Sequence, residues 1–170
     1  MDPRYPIGKF DPRDTTPLPD IVAMLATFPT ELRKAVAGLT MKQLTTPYRD
    51  GGWTARQVVH HVADSHLNCY ARFRLALTED RPTIKPYDEK KWAELPDAKG
   101  GPIDMSVDLV TGIHERWAAL MRAMSPEDFA RVFVHPDRGE MSLERTARLY
   151  AWHCRHHLAH IALSAELGRP

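Results

Sequence analysis

No glycine or proline occurs between Ala55 and Thr78, although the chain carries 9 glycines and 14 prolines. The two residues that most readily stop a helix are absent from that stretch, and Thr54 stands before it as an N-cap. The spacing therefore predicts a long helix over 55–78. A partner of similar length is expected near the C-terminus, capped by Ser142, running to Leu167 and closed by Gly168.

Two further long helices follow from apolar periodicity. Ile21, Met24, Leu25, Phe28, Leu32, Ala35, Val36 and Leu39 recur at three and four residues, which predicts a first helix over about 20–38, interrupted or kinked near Pro29. Val107, Leu109, Val110, Ile113, Trp117, Leu120 and Met121 predict another over about 106–124. Short elements are expected at 40–44 and 125–133, and a turn at His135–Gly139. Residues 1–19 hold five prolines and read as an extended arm lying on the body. Residues 80–105, rich in proline and glycine around a short helical candidate at 88–95, read as a long loop, and such loops tend to wall binding sites. Four long helices without an alternating strand give an all-α bundle within a single domain spanning 1–170, with strand content close to zero.

Charge removes several classes of function. Lys plus Arg is 23 and Asp plus Glu is 22, a formal net charge of +1, so there is no basic excess for nucleic acid or an anionic membrane. Cys69 and Cys154 have no spacing typical of a zinc knuckle or redox pair, and each is expected to be a buried thiol. The charged, proline-broken N-terminus lacks the apolar segment of a signal peptide, so a soluble, cytoplasmic protein is expected.

Seven of the nine histidines fall on the two longest helices: His60, His61 and His66 on one, His153, His156, His157 and His160 on the other. At about 100° per residue the latter four occupy a wedge of roughly 100°, continued by Leu149, Ser164 and Leu167, so they are expected to point inward. Imidazoles inside a bundle need partners, and a metal ion is an economical one. An i, i+4 pair presents two rings to one ion, and both His153/His157 and His156/His160 qualify; a third ligand must come from another helix. His66 groups with Val59, Ala63, Tyr70, Phe73 and Leu77 and reads as a hydrogen-bonded core histidine. His61 sits instead on a polar stripe with Gln57, Asp64, Ser65, Asn68 and Arg72, the wall of a polar pocket if buried.

The stretches Tyr48–Asp80, Pro82–Leu95 and Tyr150–Ile161 resemble the YfiT-like branch of the DinB-like superfamily, as do YPIGKF near the N-terminus, Ile113–Trp117 and Phe133–Pro136. The resemblance covers nearly the whole chain. It implies a four-helix bundle with an up-down-down-up course, one divalent ion per chain held by three histidines, and a homodimer. In that family the first ligand lies eight residues after the Trp that opens the second helix, here Trp53 and His61. The other two are the first His after an aromatic pair and the one four later, here His153 and His157. His156 and His160 then become supporting or substrate-side groups.

Members of that branch are described as metal-dependent hydrolases, and some relatives as thiol S-transferases using bacillithiol, mycothiol or glutathione. The resemblance thus implies a small-molecule substrate, a low-molecular-weight thiol in the transferase case, and zinc or nickel as first choices of metal. Either chemistry needs a proton carrier, for which Asp64, one turn after His61, is the expected general base. Arg72 and Asn68 on the same stripe are candidates for the substrate side, Arg72 for an anionic group. Tyr87 and Trp92 are expected in the pocket wall. A non-catalytic metal-binding stress protein is the remaining alternative, disfavoured because a closed structural site needs four protein ligands.

Overall fold

The computed structural model describes residues 2–169. Its elements in chain order are α1 (Leu18–Val36), α2 (Met41–Thr45), α3 (Ala55–Thr78), α4 (Glu89–Ala93), α5 (Pro96–Gly100), α6 (Ile103–Arg122), α7 (Pro126–Ala130), β1 (Val132–His135), β2 (Gly139–Ser142) and α8 (Leu143–Leu167). The ends of α3 and α8 follow from local chemistry. The Thr54 hydroxyl accepts from the Gln57 backbone N–H while the Gln57 side chain accepts from the Thr54 N–H, and the Ser142 hydroxyl accepts from the Arg145 N–H. α6 starts three residues earlier than its apolar period suggested, because Pro102 holds the extended N-cap conformation from which a helix can begin. α1 continues through Pro29.

The four long helices form a bundle in which neighbours in sequence are not neighbours in space. α1 packs on α6 and α8, and α3 packs on the same two, so α1 and α3 stand diagonally opposite. This is the up-down-down-up course. Fully buried Phe28, Phe73, Trp117 and Leu25 fill the centre, each contributing on the order of 1.5–3 kcal/mol through burial.

The expectation of almost no strand is corrected by one antiparallel hairpin, β1 on β2, with Phe133 opposite Met141 and His135 opposite Gly139. Three residues bridge the strands and Gly139 takes φ +73°, a conformation that glycine adopts without steric cost. Four-residue strands are too short to display a period in sequence. The Pro82–Ile84 segment runs beside β1, Ile84 N–H donating to the Val134 carbonyl and Val134 N–H to the Pro82 carbonyl.

The 80–105 segment also holds a second short helix, α5, besides the expected one. It is fastened over one edge of α3: the Gln57 amide donates to the Ala93 carbonyl, and Arg56 to the Gly100 and Gly101 carbonyls. The N-terminal arm lies along α8 in reverse order. Pro3 meets His160, Tyr5 lies by His156, Phe10 packs edge-on to Trp152, and Thr16 accepts from Arg148. Among the described residues no helix is long and apolar enough to cross a membrane.

Candidate metal centre

α3 and α8 face each other across the bundle, and their inward histidines meet. Each of His61, His153 and His157 offers a ring nitrogen, and the three nitrogens lie within 4.8 Å of one another. His61 is held from the α3 side by Trp53, whose ring packs against it in a tilted arrangement at 4.7 Å. His61 and His157 are buried and His153 is half-buried. Burial holds His61 down at about pKa 4 and both α8 rings well below the usual imidazole value, so all three rings are neutral at physiological pH, the form a metal ion binds.

The donor geometry fits a divalent ion. His153 Nε2 and His157 Nε2 stand 3.1 Å apart. Two nitrogens bound tetrahedrally at about 2.0–2.1 Å to one ion are separated by roughly 3.3 Å. The opposite ring nitrogens are engaged elsewhere: His153 Nδ1 is 3.1 Å from His66 Nε2, and His157 Nδ1 is 3.3 Å from His160 Nδ1. Among the described residues no fourth His, Cys or carboxylate joins this group, so an ion bound here keeps open positions.

The three histidines sit in the wall of a cavity of about 1020 Å³. His156 and His160 also line it, His156 stacked on Trp152 at 4.4 Å and His160 on Tyr48 at 4.0 Å. Arg72 reaches the cavity, and Ser65 and Gln57 of the same stripe join it there. Asp64 and Asn68 are not in the cavity wall. They stand on the edge of α3 over which the 82–100 segment folds: the Asn68 side chain donates back to the Asp64 carbonyl, and burial with the nearby Asp97 charge raises Asp64 to about pKa 6. Tyr87 lines the cavity with its hydroxyl pushed up to about 12 by burial, while Trp92 packs against its outer face at 4.6 Å.

Several cavity residues were not singled out as site groups from the sequence. Tyr5, Tyr48 and Arg49 arrive on the arm and the α2–α3 loop, and Arg138 and Asp137 on the hairpin turn. No local motif marks them, because each is brought in by packing between segments far apart in the chain. His135 is also in the wall and is buried, its Nδ1 accepting from the Asp137 N–H. His66 is fully buried and bonded between other imidazoles, the core position its helical face suggested.

A model of the DinB superfamily matches residues 10–161 of the chain. A protein of Bacillus cereus (strain AH820), provisionally named a metal-dependent hydrolase, is 53% identical over 163 residues, covering 94% of each chain. The structure of YfiT from Bacillus subtilis, provisionally described as a metal-dependent hydrolase with an unusual four-helix bundle topology, superposes with a TM-score of 0.94 at 46% identity over the whole of both chains. A second four-helix bundle protein shares the fold alone, at a TM-score of 0.57 and 20% identity over 84% of this chain and 95% of its own.

Proposed function

Because the chain belongs to the DinB superfamily, we propose that it is a hydrolase acting on a small molecule through one divalent ion, zinc or nickel, held by His61, His153 and His157. The observation that carries this reading is the convergence of three neutral imidazole nitrogens from two helices on an open cavity with no fourth protein ligand beside them. When bound there, such an ion supplies a Lewis acid that activates water, an electrophilic carbonyl or a thiol.

The chain's own groups do the rest. Trp53 and the α3 backbone fix His61, and Tyr87, Pro86 and the hairpin form part of the cavity wall. His156 lines the cavity and holds a buried Nδ1 without a hydrogen-bond partner; burial keeps its ring neutral, at about pKa 4, so it serves as a neutral hydrogen-bonding group beside the ligands. Asp64 is outside the cavity wall, and its charge helps to raise the neighbouring Tyr87 hydroxyl. Arg4, Arg49, Arg72, Lys90 and Arg138 give the wall five cationic groups against the three acidic groups of Glu89, Glu94 and Asp137, an excess that favours an anionic substrate group and supports a second reading, transfer of an anionic low-molecular-weight thiol.

Metal analysis of protein purified without an affinity tag is expected to return about one divalent ion per chain. Parallel assays with ester and amide substrates, and with thiols plus an electrophile, then decide the chemistry. Turnover of esters or amides without added thiol supports hydrolysis; thiol consumption alone supports transfer; metal-free protein with neither activity ends both readings. The homodimer implied by the resemblance is also proposed, and light scattering giving a mass of 19.4 kDa at all micromolar concentrations would refute it.

A further inference from the structure

Five histidines and two backbone carbonyls form two unbroken chains of contacts that end at the metal-facing nitrogens of α8. The first begins in α1. Leu25 would ordinarily give its carbonyl to the N–H four residues on, but that residue is Pro29, which has none. The freed carbonyl is met instead by His114 Nδ1 at 2.6 Å. His114 Nε2 lies 2.6 Å from His66 Nδ1, and His66 Nε2 lies 3.1 Å from His153 Nδ1. The second begins in the arm, where His160 Nε2 lies 3.1 Å from the Pro3 carbonyl and His160 Nδ1 lies 3.3 Å from His157 Nδ1.

A neutral imidazole has one N–H donor and one acceptor, so fixing one end of such a chain fixes all of it. The Leu25 carbonyl can only accept; His114 therefore donates from Nδ1 and accepts at Nε2. His66 must then donate from Nδ1 and accept at Nε2, and His153 must carry its hydrogen on Nδ1. By the same steps the Pro3 carbonyl puts the hydrogen of His160 on Nε2 and that of His157 on Nδ1. Both metal-facing Nε2 atoms are left as bare lone pairs. They face each other at 3.1 Å, a contact that repels unless a cation lies between them.

We infer that the Leu25 and Pro3 carbonyls, acting through His114 and His66 on one side and His160 on the other, set the tautomers of His153 and His157 and so hold both rings ready to bind the ion. His66, His114 and His160 are positioning residues, and Pro29 belongs to the device because it releases the Leu25 carbonyl. His66 and His114 also lie near Cys154 in a cluster that could itself suggest a second ion. The 2.6 Å separation of His66 Nδ1 and His114 Nε2 is that of a short hydrogen bond and is too short for two ligands of one ion, and burial holds Cys154 as the neutral thiol.

The inference rests on the ligand set proposed above, and two measurements separate its failure from that one's. In metal-free protein, long-range ¹⁵N correlation spectra of the histidine rings are expected to find the hydrogen of His153 and His157 on Nδ1; a hydrogen on Nε2 of either ring overturns the relay whether or not the protein binds metal. In zinc titrations against a competing chelator, His66→Leu and His160→Leu are expected to keep one site per chain and lose about 10–100-fold in affinity. His66→Gln, which restores a donor and an acceptor, is expected to stay within about threefold of the native chain. Equal zinc affinity in His66→Leu and the native protein refutes the relay, as does equal loss in the Leu and Gln variants, which is what a purely structural role produces. If native protein takes up no zinc, the ligand set fails while the spectra still judge the tautomers.

Discussion

The inner and outer walls of the candidate metal centre are built from the same side chain but hold it in different settings. On the inner side His66 and His114 have no solvent exposure; Phe28 stacks near both at 5.4 and 5.2 Å, and Trp117 closes the end. On the outer side His156 and His160 line the cavity beside Trp152 of α8, covered by Tyr5 of the arm and Tyr48 of the α2–α3 loop. Burial in a rigid, apolar setting makes an imidazole a fixed hydrogen-bond link, since any unpaired ring nitrogen there costs about 1–3 kcal/mol. At the cavity wall His156 keeps an unpaired Nδ1, whereas His160 spends both ring nitrogens on the Pro3 carbonyl and His157 and so acts as a link like His66. Hydrogen-bond partners, not residue type, decide the role.

The sharpest break in that comparison separates ligands from flanking rings. His157→Ala is expected to strip the ion completely, and His156→Ala, one residue away on the same wall, is expected to keep a full equivalent while losing turnover. Metal content by elemental analysis after gel filtration reads both. A full equivalent retained by His157→Ala removes it from the ligand set.

Acid should expose the inner wall next. His114 is fully buried and its pKa is lowered to about 4, chiefly by burial, against 6.5 for the free side chain. The unfolded chain therefore binds this proton first as pH falls. This group's contribution to the stability of the metal-free protein is expected to be level above pH 6.5, to fall by about 3 kcal/mol between 6.5 and 4, and to level off below. The difference in denaturant midpoint between the native chain and His114→Gln, followed across that range, tests it, and a difference that does not change with pH would show that the inner wall is not sealed.

How much of this could be read from the chain depends on whether the cause is local. α3 and α8 were legible because their caps and their freedom from glycine and proline act within a few residues, and the inward wedge of 153, 156, 157 and 160 follows from helix geometry alone. The helical wheel also placed His61 beside Gln57, Ser65 and Arg72, all now found in the cavity wall, and it put Asp64 there too. A wheel carries no information about what folds over its edge, and here the 82–100 segment covers the side bearing Asp64 and Asn68. Nothing in the spacing joins His114 to Pro29, which reads as an interruption or kink in the first helix. Their connection depends on α1 packing against α6, which sequence spacing does not encode.

Pro29 offers a test in which two readouts move in opposite directions. Pro29→Ala returns an N–H that competes for the Leu25 carbonyl, so the helix gains a hydrogen bond while the inner chain of imidazoles loses its exclusive anchor. The melting temperature is expected to rise and the zinc affinity to fall by about threefold to tenfold. A rise in both would mean that the Leu25 carbonyl holds His114 equally well when shared, and the inner wall would then owe its order to packing alone.

The smallest expected effect lies on the outer wall, at the pair formed by Tyr87 and Trp92. Tyr87 faces the cavity, whereas Trp92 is about one-third exposed and touches only the outer side of the Tyr87 ring. An exposed aromatic contact of this kind is worth about 0.5–1.5 kcal/mol, enough to bias the Tyr87 ring but not to hold the bundle. Tyr87→Ala is therefore expected to lower turnover with metal content unchanged, and Trp92→Ala to do the same more weakly, by about threefold, through a looser Tyr87. The order of the two effects matters more than their size. If Trp92→Ala instead lowers the melting temperature and leaves turnover per folded molecule intact, the segment braces the bundle from outside, and the outer wall ends at the arm and the hairpin.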